Sequence, residues 1–315
     1  MRILITGGAG FIGSEFVHQV IDSQRYEVSV IDSLSYAGRI RNISSVESSI
    51  DFTKLDIRDT PALETLFQNN RFDHVVNFAA ESHVDRSISN PDIFLSTNVL
   101  GTLNLLEMCK KYGVSRFLQV STDEVYGSLD EGFATEDFQF NPSSPYSASK
   151  ASAEHFVNSY ATTFGLNTGI VRCSNNYGPR QFPEKLIPVA IKALLDGKKI
   201  PIYGSGSNVR EWIHVEDCVR GILSVLERGT PRKIYNISSG QFSDNLTLIK
   251  KILPLLDQDE SAISFIADRK GHDFRYAIDS TRIEQELGWK SLISLESGLK
   301  STVDWYLSNS WAFDV

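Results

Sequence analysis

The chain has 315 residues, 41% of them hydrophobic and 22% charged, with a formal net charge of −8 at pH 7. That balance describes an ordinary globule with more than one small core, and it excludes disordered and fibrous chains. An acidic surface argues against nucleic acid as a partner, because phosphate contacts need clustered Lys and Arg. The three cysteines, Cys109, Cys173 and Cys218, show no CxxC pair or metal-ligand spacing. Neither a disulfide nor a metal is expected, which fits a reducing cytoplasm. No run reaches the apolar length of a membrane span, so no membrane partner is expected.

In chain order, apolar runs predict strands over Arg2–Thr6, Glu27–Asp32, Asp51–Ile57, His74–Ala79, Arg116–Ser121 and Asn167–Cys173. Helical periodicity lies between them over Phe11–Ser23, Pro61–Gln68, Asp92–Tyr112 and Tyr146–Phe164. Near-continuous apolar segments such as Val75-Val76-Asn77-Phe78-Ala79 suit strands covered on both faces. Alternating strand and helix implies an α/β fold with a doubly wound parallel sheet and right-handed crossovers. After residue 175 the rhythm is broken by Pro179, Pro183, Pro188 and Pro201 and by the run Gly204–Ser207. Residues 1–175 are therefore expected to form a nucleotide-binding domain, and 176–315 mainly a smaller, mixed α/β C-terminal substrate-binding domain. A helix near Val215–Glu227 and a strand near Lys233–Ile237 are regular enough for 211–240 to return to the main sheet. A last helix near Leu295–Leu307 closes the chain.

The first strand runs into Thr6-Gly7-Gly8-Ala9-Gly10-Phe11-Ile12-Gly13, with Gly7, Gly10 and Gly13 three residues apart and a helix opening behind them. Glycine allows the tight turn and lets a pyrophosphate approach the positive end of the helix, as in a Rossmann-type sheet. Glycines alone would suit any strand–helix turn. Asp32, about twenty residues further on at the end of the second strand, adds a carboxylate for ribose hydroxyls. Because that carboxylate repels a 2′-phosphate, NAD is favoured over NADP. Asp56-Ile57, ending the third strand, is a candidate adenine contact and equally a plain turn.

Tyr146-Ser147-Ala148-Ser149-Lys150 places a phenol and an ammonium four residues apart, on one helix face. A nearby ammonium favours phenolate, so Tyr146 could act as a base. Chance alone would produce one such pair easily. Ser121, at the strand end where ligands bind in open α/β sheets, raises its standing. The same strand runs on as Ser121-Thr122-Asp123-Glu124-Val125-Tyr126-Gly127. Two adjacent carboxyls with separated pKa values could run an elimination; an exposed acidic turn or helix cap is the other reading.

Taken together, the glycine loop, Asp32 and the Tyr146/Lys150 pair resemble the extended short-chain dehydrogenase/reductases that act on nucleotide-sugars. Within that group the chain is similar to the nucleotide-glucose 4,6-dehydratases, chiefly the dTDP-glucose enzymes. Ala79-Ala80-Glu81-Ser82-His83-Val84-Asp85-Arg86-Ser87-Ile88, Ser121–Gly127 and Cys173-Ser174-Asn175-Asn176-Tyr177-Gly178-Pro179 carry the resemblance. It continues through Phe182–Pro188, Val209-Arg210-Glu211-Trp212 and Gly271-His272-Asp273, so it spans essentially the whole chain in order. The resemblance implies a redox-neutral lyase with NAD as cofactor. Thr122, Tyr146 and Lys150 would serve C4 oxidation, Asp123 would be the acid and Glu124 the base of water loss. It further implies cofactor contacts at Ser35, Ala79 and Ala80. Substrate contacts are implied at Ser82, Arg86, Thr122, Asn175, Lys185, Leu186, Tyr203, Arg210, Asn245, His272 and Arg275, and a homodimer through a helix pair including Asp92–Tyr112 and Tyr146–Phe164.

His83, Asp85 and Arg86 could also simply steady a loop, and each substrate Arg could be a surface ion pair. The chain departs from the family pattern at Ser33, Arg39, Ser205, Glu211 and Lys270, none of them in the catalytic set. A UDP-glucose 4,6-dehydratase, or a nucleotide-sugar 4-epimerase or decarboxylase on the same fold, stays open. The Asp123-Glu124 pair separates the dehydratases from the last two chemistries. A non-catalytic NAD-binding regulator is the third reading, and the presence of Thr122, Tyr146 and Lys150 speaks against it.

Overall fold

A computed structural model describes residues 1–268 and 271–314, so Lys270 lies outside the described residues. The first strands are β1 (Arg2–Thr6), β2 (Glu27–Asp32), β3 (Ile50–Lys54), β4 (His74–Asn77), β5 (Arg116–Thr122) and β6 (Thr168–Cys173). Then come β7 (Asn175–Tyr177), β8 (Ile200–Tyr203), β9 (Val209–His214), β10 (Ile234–Ile237), β11 (Phe242–Asp244) and β12 (Ile263–Ile266). Seven of these form one sheet in the order β10-β6-β5-β4-β1-β2-β3. Every pairing in it is parallel. Its central strands β1 and β5 are buried almost throughout, which is why they read as apolar runs.

Helices cover both faces. Phe11–Ser23 and Val215–Arg228 pack with Ile3, Ile5, Val28 and Val30 on one side. On the other, Leu63 and Phe67 of the Thr60–Asn69 helix, Leu105 and Cys109 of Thr102–Tyr112 and Val157 of Pro145–Phe164 meet Leu4, Val75 and Phe117. A separate apolar cluster, including Ile187, Ile200, Trp212, Leu248 and Tyr306, holds the later elements together. There β11, β9 and β7 make a small mixed sheet and β12 pairs with β8. Among the described residues no helix is long and apolar enough to cross a membrane.

The predicted helix over Asp92–Tyr112 has a wider path. Pro91–Phe94 leads into a π-helical turn, Leu95–Gly101, before Thr102–Tyr112 resumes ordinary pitch. The wide turn carries Asn98, whose side-chain amide bonds both backbone groups of Glu81, beyond the end of β4, and the Ser149 hydroxyl of the Pro145–Phe164 helix. Such inserted turns commonly sit at functional sites.

Candidate active site

In the sheet order, the strand sequence reverses between β1 and β4, and open α/β sheets bind ligands at that switch point, beyond the strand C-termini. Gly7, Gly10, Phe11, Ile12, Gly13, Asp32, Ser35, Asp56, Ile57, Ala79 and Ala80 all line one cleft there, together with Tyr146 and Lys150. Gly7 has φ +68°, and a Cβ on it would come within 2.6 Å of the Ala79 backbone nitrogen. A Cβ on Gly13 would overlap the Gly7 carbonyl oxygen. The Phe11–Ser23 helix opens onto the cleft without a side-chain cap and without an acid in its first turn. Its positive end is thus left for an anion, which fits a dinucleotide pyrophosphate.

Asp32 is buried in the cleft wall, held by the backbone N–H groups of Ala9 at 3.0 Å and Leu34 at 2.8 Å. Burial pushes its pKa up, and those two donors pull against that rise. Asp56 is clamped by Arg58 through contacts of 2.6–3.1 Å, which holds its carboxyl below the usual range.

Above the end of β5, Thr122, Asp123 and Glu124 face the same cleft as Tyr146 and Lys150. Asp123 is buried in the cleft wall. One carboxyl oxygen accepts from the Thr122 hydroxyl at 3.2 Å and the other has no partner. Burial, then the neighbouring Glu124 and Glu211 carboxyls, raise its pKa well above the ordinary value. That setting favours the protonated form of the carboxyl. Glu124 is half-buried and lines both this cleft and the cavity beside it.

The Tyr146/Lys150 pair differs from the expectation in one respect. The phenol is pushed up, by burial and by the Glu124 and Asp123 carboxyls, while its bond with Thr122 works the other way. Lys150 Nζ donates to the Val120 carbonyl at 2.7 Å. Burial lowers the Lys150 pKa to about 8. The phenol's surroundings are apolar and acidic, so the ammonium alone does not make it a phenolate.

The adjoining cavity is lined by Asn175, Lys185, Leu186, Tyr203, Arg210, Asn245 and His272 among the expected substrate contacts. Asn175 lines both spaces, and its buried side-chain oxygen has no protein partner. Lys185 donates to the Ser82 carbonyl at 2.9 Å, joining two expected contacts 103 residues apart. Ser82 and Thr122 line the cofactor side. The Arg210 guanidinium lies over the Tyr276 ring at 4.4 Å and donates to the Val209, Asp273 and Phe274 carbonyls. Tyr203 meets the His272 ring edge-on.

Two expected contacts are not brought into either lining. Arg86 stacks on Tyr36 at 3.6 Å and pairs with Glu81. Arg275 donates to the Gly132 carbonyl and lies near the Phe133 and Phe242 rings. Both guanidiniums are engaged by rings and acceptors of the protein itself, Arg86 by Tyr36 and Glu81 of the cofactor cleft. His83 caps the Val84–Ser89 helix by accepting from the Arg86 N–H, so the loop-steadying reading also has a basis.

Sequence reasoning passed over Gln181, Phe182, Glu184 and Tyr276, which also line these spaces. Phe182 and Glu184 fall within Phe182–Pro188, a stretch that carries the family resemblance, but only Lys185 and Leu186 of it were expected contacts. Glu211 is buried on β9 and accepts from Gly240 N–H at 2.7 Å and Ile278 N–H at 3.4 Å, its pKa raised by burial to about 7.

Comparison with known proteins agrees with this geometry. The family model described as GDP-mannose 4,6 dehydratase matches residues 4–302. The chain is 47% identical to a dTDP-glucose 4,6-dehydratase of Streptomyces griseus over 316 residues, covering 98% of this chain and 95% of that one. It superposes on the crystal structure of DesIV (dTDP-glucose 4,6-dehydratase) from Streptomyces venezuelae, solved with NAD bound. That match has a TM-score of 0.97 and 47% identity, over 100% of this chain and 99% of that one. A UDP-glucose 4-epimerase from Thermotoga maritima also matches, with a TM-score of 0.93 and 33% identity over 98% and 100% of the two chains. The fold is therefore common to both chemistries, and full-length sequence similarity favours the first. The chain belongs to the dTDP-glucose 4,6-dehydratase family of the extended short-chain dehydrogenase/reductases.

Proposed function

We propose that the protein is an NAD-dependent lyase that converts dTDP-glucose to its 4-keto-6-deoxy form. The observation that carries this reading is Asp123: a buried carboxyl on the cleft wall, one oxygen unpartnered, its pKa raised by burial and by the more accessible carboxyl beside it. Epimerisation or decarboxylation has no use for such an acid.

NAD, when bound in the glycine-loop cleft, supplies the redox chemistry, taking a hydride from sugar C4 and returning one to C6. Tyr146, as phenolate, takes the proton of the C4 hydroxyl, oriented by Thr122; Lys150 favours that form in part, and the positive charge of oxidised nicotinamide would add to it. Once C4 is a ketone, the C5 hydrogen is acidic and Glu124 removes it. Asp123 gives its proton to the C6 hydroxyl, which leaves as water. Glu124 then returns a proton to C5, which leaves Tyr146 holding the C4 hydroxyl proton and Asp123 one proton short; release of a proton from Tyr146 to solvent and uptake of one by Asp123 close the cycle. Asn175, Lys185 and Arg210 hold the sugar and diphosphate, and Tyr203 stacks on the base.

In this reading residues 1–175, with 211–240, bind NAD and the remainder mainly binds the nucleotide-sugar. The protein works in the cytoplasm, where three buried free thiols stay reduced. It is a homodimer through the helices that expose Leu95, Leu100, Phe156 and Phe164.

The deciding experiment incubates purified protein and NAD separately with dTDP-glucose and UDP-glucose. The expected product has lost one water and shows the alkali-induced absorbance of a 4-keto-6-deoxy sugar, with dTDP-glucose the faster substrate. Unchanged mass with both would replace dehydration by epimerase chemistry.

A further inference from the structure

The proposed centre has two halves on separate elements. Tyr146 and Lys150 sit near the start of the Pro145–Phe164 helix. Asp123 and Glu124 sit on the one-turn helix Asp123–Tyr126 that follows β5. Their chemistry is sequential at neighbouring carbons, so the two elements must keep a fixed spacing through one turnover.

Below the centre lies Arg172 on β6, one of the largest fully buried side chains in the protein. Its Nε and Nη2 grip the Glu154 carboxylate at 2.6–3.1 Å. Glu154 is four residues beyond Lys150 and eight beyond Tyr146, on the same face of the same helix. The remaining guanidinium nitrogen donates to the Tyr126 hydroxyl at 2.6 Å. Tyr126 is the last residue of the turn that carries Asp123 and Glu124. One planar, rigid group thus touches both halves.

The surrounding contacts sharpen that joint. Arg172 pairs in register with Ser121, and the Ser121 hydroxyl donates to Glu154 at 2.5 Å. The Tyr126 and Phe140 rings lie 4.8 Å and 4.7 Å from the guanidinium carbon. The Tyr126 hydroxyl in turn donates to Asn236 on β10. A buried ion pair is weak evidence for stability, since an apolar replacement of equal volume often serves as well. What an apolar residue would lack is directional reach to both partners.

We propose that Arg172 is a positioning residue that locks the oxidising half of the centre to the eliminating half, through Glu154 on one side and Tyr126 on the other. Glu154 also faces Lys150, opposing the loss of its charge that burial favours. This inference rests on the proposed reaction.

The test follows a single turnover of NAD-loaded protein with dTDP-glucose by the absorbance of reduced nicotinamide, which rises on C4 oxidation and falls on hydride return. Tyr126→Phe removes one hydroxyl and should leave the rise near wild type while slowing the fall by on the order of tenfold or more. Glu154→Gln should do the reverse: a slowed rise, with reduced cofactor failing to build up because the fall keeps pace. Single-turnover rate constants do not depend on how much protein is folded, so a loss of folded protein alone would lower the amplitude and leave both rates unchanged. Equal scaling of both phases in Tyr126→Phe, or wild-type phases, would overturn the role of Arg172 even if Glu154→Gln does not fold. A wild-type protein that shows no transient at all would overturn the reaction itself, and this role with it.

Discussion

Asp123 and Glu124 are chain neighbours in opposite surroundings. Asp123 is buried in the cleft wall with an unpartnered oxygen, while Glu124 is half-buried at the junction of two cavities. The one-turn helix they begin points successive side chains in different directions, so a single acidic pair yields a buried acid and an accessible base. The separation is what an elimination needs.

The buried partner gives a prediction in which activity and stability move oppositely. Asp123→Asn removes the proton donor and should lower turnover by about a hundred- to ten-thousand-fold. A carboxyl whose folded pKa lies above its unfolded value stabilises the fold below the unfolded value, and that contribution disappears as pH rises through the folded one. Asp123 is raised from 3.8. Asn has nothing to ionise. The Tm of Asp123→Asn should therefore match wild type in strong acid and exceed it increasingly as pH climbs above that value. A Tm difference that shrinks with rising pH would remove the buried-acid assignment.

For Glu124→Gln the expected outcome is a stalled enzyme. C4 oxidation remains possible, because Tyr146, Thr122 and Lys150 are untouched, but C5 keeps its proton. Adding dTDP-glucose should give a lasting reduced-nicotinamide absorbance and no loss of water by mass spectrometry. Turnover near wild type would take Glu124 out of the base role.

Tyr146→Phe should suppress even that first absorbance change. The phenol is buried and bonded to Thr122, and its neighbours have other tasks in the proposed cycle, Glu124 at C5 and Lys150 tied to the Val120 carbonyl. A normal absorbance rise in this variant would sink the assignment. Thr122→Val is the milder companion, expected to slow the rise without abolishing it.

Much of this was legible in the sequence, and the reasons are physical. Arg2–Thr6 and Phe11–Ser23 were predicted with their observed bounds, because a buried parallel strand is an apolar run and glycines punctuate its end. β3 stops at Lys54 and β4 at Asn77, short of the predictions, because an apolar run continues past the last ladder bond into the ligand edge. The π-helical turn at Leu95–Gly101 left no mark, since one inserted residue barely disturbs a 3.6-residue pattern. Arg172 and Glu154 were invisible for another reason. Charges are read as surface unless their partner is known, and these two lie 18 residues apart on different elements. The spacing Tyr146, Lys150, Glu154 was available and pointed inward. Arg86 and Arg275 show the converse limit: a motif names a residue, but local rings and carbonyls decide where its side chain goes.

The cofactor cleft can be tested apart from catalysis. At Gly13 an added methyl would meet the Gly7 carbonyl, which is backbone and cannot swing away. Gly13→Ala should either displace the loop or shift the helix start, at a strain of about 1–3 kcal/mol. Purified Gly13→Ala should retain far less NAD than wild type, measured by releasing and quantifying the nucleotide from denatured protein. Without added nucleotide the thermal midpoint should fall only by the few degrees that this strain implies, and the protein should stay folded. Full NAD content in the variant would place the pyrophosphate elsewhere.

The last prediction concerns the helix face that the fold leaves uncovered. Leu95 and Leu100 are exposed on the helical stretch leading into Thr102–Tyr112, and Phe156 and Phe164 on the Pro145–Phe164 helix beside it. Phe156 and Phe164 are eight residues apart, about two turns, so they share a face. Glu107 and Tyr160 tie the two helices together, and Lys110 lies 4.4 Å from the centre of the Phe164 ring. A solvent-facing pair of helices that presents four large apolar side chains is a surface suited to a second copy of itself. Wild-type protein should sediment as a dimer. Leu100→Arg would place an unpaired charge at the centre of that contact and should give a folded monomer with a lower, concentration-independent Tm. A monomeric wild type, or a Leu100→Arg dimer of unchanged strength, would move the interface off these helices.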